Sequence, residues 1–286
     1  MARAQNVQDG IAHANMALDS HLPKALRDDP RASMSPPQHS TASIAMATYN
    51  GVRFLEEQIQ SVRSQMQAGD ELVIVDDAST DGTVKLLEQL QFPRMQVYRN
   101  SKNLGAAGTF DRALSLTRND VVFLCDQDDV WLPGKRQAFV ESFLRDRRCS
   151  VVVSDAEVID AVGRTLAASF MQTRGGFSGS LWSTLYKNRF LGCCMALRRD
   201  VLRVGLPIPP TVPQHDMWLG LLGREIGNVH YLSAAYLRYR RHERNTSPSR
   251  PASIPTMVRW RASLLLLTRR RLWEHRARRA GGQSQE

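Results

Sequence analysis

The chain has 286 residues, 42% of them hydrophobic, and a formal net charge of +10 at pH 7. This length and apolar content allow a sizeable globular core, in one large domain or two small ones. The four cysteines show no C-x-x-C spacing, which argues against a small secreted domain held by disulfides and predicts a reducing, cytoplasmic location. No apolar run approaches the roughly 20 residues that span a bilayer, which argues against an integral membrane protein.

The first half of the chain repeats one pattern, an apolar strand followed by a polar turn and a helix. Strands are predicted at Ser43 to Thr48, Glu71 to Val75 and Met95 to Tyr98, and a fourth apolar run begins at Val121. Three β/α units that feed a fourth strand predict a doubly wound, largely parallel sheet. In such a sheet, the polar residues after the strands meet at the edge where ligands bind.

The fourth strand runs directly into three carboxylates, Asp126, Asp128 and Asp129. Crowded like charges are costly, and a hard divalent cation removes this cost by accepting carboxylate oxygens. Magnesium and similar ions usually keep coordination positions for phosphate oxygens. The pattern therefore predicts an Mg²⁺ or Mn²⁺ site that binds a phosphate compound; a solvated acidic turn after a strand is the alternative interpretation.

The second half is less regular, because prolines and glycines interrupt its apolar runs. Pro133 is predicted in the first turn of a helix that reaches Leu144, and another helix is expected after Gln214-His215-Asp216. Residues 161 to 183 are rich in Gly, Ser and Thr and are predicted to form a loop region. Further strands are predicted at Ser150 to Ser154, Phe190 to Leu197, Val229 to Leu232 and Ala235 to Tyr239.

Both ends of the chain differ in composition from the part between them. Residues 1 to 42 contain few apolar residues and several prolines, which predicts a disordered leader. Residues 237 to 286 hold 13 arginines against three glutamates. Within the extension at 246 to 286, Trp260, Leu264 to Leu267 and Trp273 alternate with arginines, so this segment is either an interfacial helix on an anionic membrane or a helix that packs its leucines on the main domain.

Short motifs spread over residues 43 to 245 together resemble family 2 glycosyltransferases, most of all the bacterial rhamnosyltransferase-like members. Each motif is short, but their order and spacing are specific. The motifs are Ala47-Thr48-Tyr49-Asn50-Gly51, Val75-Asp76-Asp77-Ala78-Ser79-Thr80-Asp81-Gly82-Thr83, Asn103-Leu104-Gly105, Asp126-Gln127-Asp128-Asp129-Val130-Trp131, Gly192-Cys193-Cys194-Met195, His215-Asp216-Met217-Trp218-Leu219 and Tyr239-Arg240-Arg241-His242.

The resemblance implies an α/β domain of the GT-A fold at residues 43 to 245, with a Rossmann-like central sheet flanked by helices and a basic helical extension after it. It implies an inverting enzyme of cell-envelope polysaccharide biosynthesis. Such an enzyme moves a sugar from a nucleoside-diphosphate donor to a hydroxyl group of a saccharide or lipid-linked acceptor. Rhamnose from a thymidine diphosphate donor is the favoured sugar, and no nucleic acid partner is expected.

The resemblance also assigns roles to individual residues. In the nucleotide pocket, Asp77 is expected to accept a hydrogen bond from the base; turn and helix-cap chemistry before a helix is the alternative explanation for Asp76, Asp77 and Asp81. The full set of expected nucleotide-binding residues is Thr48, Tyr49, Asn50, Asp77, Asn103, Gly105 and Asp126.

For the chemistry itself, Asp128 is expected to contact the divalent cation, with His242 approaching from a late loop. Asp216, at the start of a helix, is expected to be the general base that takes the proton of the acceptor hydroxyl. The helix dipole alone is the alternative reason for an acidic residue there. Gly192, Cys193 and Trp218 are expected to border the acceptor.

Two other functions fit parts of the sequence. Asp126 to Val130 also satisfies the D-x-D-x-V pattern of haloacid-dehalogenase-like phosphohydrolases, in which Asp126 would be a covalent nucleophile. That pattern normally follows the first strand of its domain, whereas three β/α units come first here. The basic end alone fits a protein that binds a membrane or nucleic acid, but it contains no recognisable nucleic-acid module.

Overall fold

A computed structural model of the protein describes residues 40–178, 184, 187–212, 214–243 and 254–282. The predicted leader therefore falls almost entirely outside the described residues. Its last position, Ala42, already begins the first strand, one residue before the predicted start. The segment at 246–253, which opens the predicted extension, also lies outside the described residues.

Four parallel strands form the first half of the sheet, as the repeated apolar pattern predicted. They lie in the order β3-β2-β1-β4. Nearly every residue of β1, β2 and β4 is buried, which explains why these strands are apolar throughout instead of alternating. The elements are β1 (Ala42–Thr48), α1 (Val52–Arg63), β2 (Glu71–Asp76), α2 (Thr83–Gln89), β3 (Met95–Arg99), α3 (Gly105–Leu116) and β4 (Val121–Asp126).

The register of these strands brings their carboxyl ends to one line. Thr48 at the end of β1 pairs with Asp76 at the end of β2. On the other side of β1, Ala47 pairs with Asp126, the last residue of β4. The polar residues that follow the strands therefore meet at one edge of the sheet, which is the expected place for a ligand.

The second half of the chain extends the same sheet beyond β4 with mixed strand directions, in the order β4-β8-β6-β9-β5, and β7 pairs with β6. Strand β8 runs antiparallel to both neighbours, whereas β6 and β9 are parallel. The elements are β5 (Val130–Trp131), α4 (Lys135–Arg145), β6 (Cys149–Ile159), β7 (Thr165–Ala167), β8 (Met195–Arg198), α5 (Arg199–Gly205), α6 (His215–Ile226) and β9 (Asn228–Arg240).

Three predictions for this half are wrong in detail. The two late strands are one strand, β9, whose register against β6 skips Ser233 and Ala234, and this bulge gave the sequence the appearance of two runs. The predicted strand from Phe190 begins only at Met195, because Gly192–Cys194 form a 3₁₀ turn. Pro133 precedes helix α4, since Gly134, with φ of 84°, ends the turn before it.

The last described element is the helix α7 (Ile254–Gly282), which packs against α5 and α6. Leu264 and Leu272 are buried in the core, whereas Leu266 is 67% and Trp273 70% exposed. The packing interpretation therefore holds for the face of Leu264 and Leu272, whereas membrane attachment through the exposed face of Leu266 and Trp273 stays a prediction. Among the helices of the described residues, none is both long and apolar enough to span a bilayer.

Helix α7 also reaches helix α6 close to its first turn. Arg261 donates from Nη1 to the sulfur of Met217 over 3.0 Å. On the same side of α7, Arg271 donates to the carbonyl oxygens of Val204 and Leu206 over 3.1 and 2.9 Å. These contacts fix the position of α7 on the domain.

Candidate active site

A cavity of about 260 Å³ opens at the carboxyl ends of the parallel strands. Its wall contains six of the seven residues that were predicted to bind a nucleotide, together with Asp128. Aromatic rings from α3 and β9, Phe110 and Tyr239, line it as well. The predicted residues in the wall are Thr48, Tyr49, Asp77, Asn103, Gly105 and Asp126.

The buried Asp77 organises the start of α3. Its carboxylate accepts hydrogen bonds from the backbone N–H groups of Leu104 (2.7 Å) and Gly105 (2.9 Å) and from the side chain of Asn100 (2.8 Å). These donors lie at a helix N-terminus, where unpaired N–H groups favour an anion. A carboxylate has about four acceptor positions, so one remains for a ligand. The helix-cap role of Asp77 is therefore observed, and its hydrogen bond to a base stays a prediction.

Asn50 is the one predicted nucleotide-binding residue that does not line the cavity. Its backbone is left-handed, with φ of 48°, and its side-chain oxygen accepts the N–H of Thr80 over 2.8 Å. The side chain therefore holds the loop after β2 in place. Beside it, Gln127 exchanges two hydrogen bonds with the backbone of Tyr49, of 2.8 and 3.0 Å, which orients the exposed Tyr49 ring at the cavity.

Three carboxylates crowd together after β4. Burial and the charges of Asp128 and Asp216 raise the pKa of Asp126 from 3.8 to about 7. Burial and the neighbouring carboxylates raise the pKa of Asp129 well above its ordinary value, and its Oδ2 atom is buried with no hydrogen-bond partner among the described residues. Such a concentration of negative charge, with an orphaned buried oxygen, is a chemical fit for a divalent cation.

The late loop after β9 reaches this acidic cluster. Nε2 of His242 lies 2.7 Å from Oδ2 of Asp128, and the imidazole packs on Phe54 with ring centroids 4.9 Å apart. Arg240 donates its backbone N–H to Asp129 over 2.9 Å and its guanidinium to the carbonyl oxygen of Asp128 over 2.9 Å. The predicted metal residues Asp128 and His242 are thus brought together.

A second possible ligand set lies deeper. Asp126, Asp129 and Cys193 place ligand atoms within 4.8 Å of one another, the only such group of three or more among the described residues. Burial raises the pKa of the Cys193 thiol well above its ordinary value, so it remains protonated and is a poor ligand for a hard cation. The carboxylates, with Asp128 facing the cavity, are the better oxygen donors.

Asp216 lies in the first turn of α6, and its charge helps to raise the pKa of Asp126. Its carboxylate accepts the N–H of Met217 (2.6 Å), the N–H of Gly192 (3.3 Å) and the side-chain amide of Asn188 (3.3 Å). Burial raises the pKa of Asp216 as well, which strengthens it as a proton acceptor.

The residues predicted to border the acceptor lie below the surface. Trp218 is fully buried and its Nε1 donates to the carbonyl oxygen of Gly205 over 2.9 Å, so its prediction as an acceptor contact is wrong: it belongs to the apolar stripe of α6. Gly192 and Cys193 are also buried. They contact the site from beneath, Gly192 through its N–H to Asp216.

The sequence interpretation missed Lys135, which is fully buried under the acidic cluster. Its ammonium group donates to the carbonyl oxygen of Cys193 over 2.6 Å and lies 4.5 Å from the ring centre of Trp131 and 5.7 Å from that of Phe139. Its charge lowers the pKa of Asp126. The spacing of four residues between Lys135 and Phe139 was the available signal, because it puts Lys135 on the apolar face of helix α4.

Known proteins are similar to this chain over the part that contains the site. The family model described as "Glycosyl transferase family 2" matches residues 43–206. An uncharacterized glycosyltransferase of Nostoc sp. is 32% identical over 176 residues, which cover 59% of this chain and 54% of the relative. The chain therefore spans about half the length of that relative.

Two further similarities cover more of the chain. The Escherichia coli protein WfgD, named UDP-Glc:alpha-D-GlcNAc-diphosphoundecaprenol beta-1,3-glucosyltransferase, is 26% identical over 215 residues, 73% of this chain and 80% of the relative. The crystal structure of S. aureus TarS 1–349 in complex with UDP-GlcNAc has a TM-score of 0.63 at 19% identity, over 80% of this chain and 67% of that chain. The structural likeness confirms the predicted GT-A fold.

Proposed function

Because the chain belongs to glycosyl transferase family 2, we propose that it transfers a sugar from a nucleoside-diphosphate donor to a hydroxyl group of a saccharide or lipid-linked acceptor. The observation that carries the proposal is the alignment of Asp77, Asp126 and Asp128 along one cavity, with Asp216 beside them. This arrangement supports the proposal, in which Asp77 binds the base, the acidic cluster meets the diphosphate and Asp216 accepts a proton.

Membership of this family overturns the phosphohydrolase interpretation of the D-x-D-x-V pattern. The fold supplies the reason, since the motif follows the fourth parallel strand and not the first. It also overturns a binding protein without enzymatic activity as the main function.

The donor is proposed to bind with its base at Asp77 and its diphosphate towards Asp126 and Asp128. Asp77 has one acceptor position left for an N–H group of a pyrimidine base. Thr48, Tyr49, Asn103 and Gly105 provide the remaining wall, and Asn50 shapes it through the loop after β2. UDP and thymidine diphosphate sugars, including rhamnose, are the donors to test; the UDP-GlcNAc complex of the structurally similar TarS supports a uridine nucleotide as the first choice.

The acidic cluster is proposed to hold Mg²⁺ or Mn²⁺, with Asp128 as the direct ligand and His242 completing the set from the late loop. When bound, such an ion supplies positive charge that stabilises the departing nucleoside diphosphate. Arg240 fixes the cluster from behind, because it holds both Asp129 and the backbone of Asp128. Lys135 offsets part of its negative charge from beneath.

Asp216 is proposed as the general base. It accepts the proton of the acceptor hydroxyl while that oxygen forms a bond to the anomeric carbon and the bond from this carbon to the diphosphate oxygen breaks. One displacement inverts the anomeric configuration. The N–H of Gly192 and the amide of Asn188 orient the carboxylate for this step, so Gly192 acts through Asp216 and not on the acceptor directly.

We also propose that α7 attaches the enzyme reversibly to an anionic membrane, at the cytoplasmic face, where a lipid-linked acceptor is available. Leu266 and Trp273 are seven residues apart and lie on the same face, which is exposed. Arg269 and Arg270 flank this stripe on its two sides. Apolar side chains with arginines beside them suit the headgroup boundary, where each basic residue contributes about 1 kcal/mol.

The test is calorimetric titration of UDP and thymidine diphosphate, with and without Mn²⁺, into the wild type, Asp128→Asn and the control Asp200→Asn. Asp200 is an exposed residue of α5. We expect metal-dependent binding of one nucleotide to the wild type and the control, and binding at least about tenfold weaker to Asp128→Asn. Absence of binding to the wild type, or equal binding to all three proteins, would contradict the proposed site.

A further inference from the structure

Arg189 is a buried cation for which the described residues provide no hydrogen-bond partner at two of its nitrogen atoms. It is only 8% exposed, and its Nε and Nη1 atoms are buried with no hydrogen-bond acceptor. A buried donor that stays unpaired costs about 1–3 kcal/mol, and more when it is charged. The residue before it, Asn188, donates to Asp216 over 3.3 Å, so Arg189 directly follows a residue that contacts the proposed general base. These donors suit an anion, which the part of the chain described by the structure does not provide.

Two more arginines come to the same place from other elements. Arg174 lies 4.8 Å from the ring centre of Phe170, and Arg241 lies 5.9 Å from that of Tyr239. The two rings are in edge contact, with centroids 5.5 Å apart, and Tyr239 lines the donor cavity. Burial lowers the pKa of Arg174, and the charges of Arg241 and Arg189 lower it further, so both guanidinium groups lie within electrostatic range of Arg174.

The charges of this group do not balance. Asp216 is the carboxylate that acts on Arg174. Within the part of the chain that the structure describes, Arg174, Arg189 and Arg241 form no ion pair with an aspartate or glutamate. Without a direct ion pair, guanidinium groups that repel one another in a partly buried place are stabilised by a compensating anion.

We propose that Arg174, Arg189 and Arg241 form an anion subsite next to Asp216 that binds a phosphate or diphosphate group of the acceptor. The proposal rests on the proposed function, because it takes Asp216 as the group that faces the acceptor hydroxyl. Arginine suits this ligand, since its planar fork donates two parallel hydrogen bonds to phosphate oxygens. The anion lies close to the hydroxyl that reacts, which selects an acceptor sugar joined directly to a phosphate.

The test uses two probes of this chemistry, geranyl diphosphate for a lipid-borne diphosphate and glucose 1-phosphate for a phosphate carried by the sugar. Each is titrated calorimetrically into protein saturated with its nucleoside diphosphate and Mg²⁺, with free Mg²⁺ held in excess. The proteins are the wild type, Arg189→Gln and the control Arg147→Gln, in which an exposed arginine outside the site is changed. Arg174→Gln is the second test variant.

We expect at least one probe to bind the wild type and Arg147→Gln equally, and to bind Arg189→Gln at least tenfold and Arg174→Gln several-fold more weakly. The preferred probe identifies the source of the phosphate. We expect the affinity for the nucleotide to differ by less than twofold among all the proteins. If the wild type does not bind the nucleotide, the proposed function is refuted instead of the subsite. Unchanged probe affinity in Arg189→Gln and Arg174→Gln, no binding of either probe, or displacement of the nucleotide by the probe would overturn the subsite.

Discussion

Replacement of Asp216 by asparagine removes the proposed proton acceptor and keeps a side chain of nearly the same size and shape. Asparagine keeps an oxygen for the N–H of Met217, but its amide group cannot accept from both Gly192 and Asn188, as the carboxylate does. Loss of one hydrogen bond to a charged group costs about 1.5–3 kcal/mol. Part of this is recovered, because burial disfavours the charge of Asp216 in the wild type. We therefore expect the free energy of unfolding to fall by no more than about 2 kcal/mol.

The effect on the reaction is larger. Loss of a general base lowers the rate by about 10²- to 10⁴-fold, which is roughly 3–5 kcal/mol in the activation barrier. The assay measures nucleoside diphosphate released from the nucleotide sugar with a short prenyl-diphosphate saccharide as acceptor. Titration calorimetry measures nucleotide affinity in the same proteins. Asp200→Asn is the control, since it removes an exposed carboxylate far from the reaction.

The pH profile separates a base from a merely structural carboxylate. The pKa of Asp216 is raised, so the wild-type rate falls as the pH decreases through that value and the carboxylate becomes protonated. The residual rate of Asp216→Asn lacks this dependence. Equal rates in wild type and variant, or a loss of nucleotide affinity as large as the loss of rate, would refute the assignment of Asp216 as the base.

The remaining predictions concern the metal, the packing and the surface helix. Without metal, the pKa of Asp126 is raised to about 7, so its contribution to stability is complete below about pH 4 and is lost as the pH rises to 7. Mn²⁺ binds the deprotonated carboxylate, and we therefore expect it to raise the melting temperature more at pH 8 than at pH 6. An equal rise at the two pH values would contradict this. Gly220→Ala places a Cβ atom 2.3 Å from the ring of Phe190, and should lower the free energy of unfolding in urea by about 1–3 kcal/mol; unchanged stability would show that the ring moves aside. The double substitution Leu266→Ser and Trp273→Ser should reduce sedimentation of the protein with phosphatidylglycerol vesicles at low salt. The control Leu166→Ser, which changes an exposed leucine of β7, should leave sedimentation unchanged. No vesicle binding by the wild type would contradict the membrane proposal.

Local chemistry made the first half of the fold predictable. Each of β1, β2 and β4 is buried on both faces, so its apolar run is continuous, and a polar turn marks its end. The register that aligns these ends follows from parallel pairing. The placement of Asp77 and Asp126 in one cavity could therefore be predicted from sequence.

The rest depends on contacts between distant segments. Cys193 and Lys135 are 58 positions apart, and their hydrogen bond helps to hold a 3₁₀ turn where the apolar pattern favoured a strand. Trp218 carries the same apolar signal whether it faces an acceptor or the core, and only the packing of α6 decides between them. The unpaired state of Arg189 is likewise visible only when every neighbour has been placed.

The contact of Arg261 with Met217 joins the surface helix α7 to the residue that follows Asp216. If α7 moves when it binds lipid, this contact transmits the movement to the catalytic helix, and the two events share a coupling free energy. Such coupling is reciprocal, so donor and acceptor bound at the site must change the affinity of α7 for lipid by the same factor by which lipid changes theirs. The enzyme would then respond to the surface on which its acceptor is found.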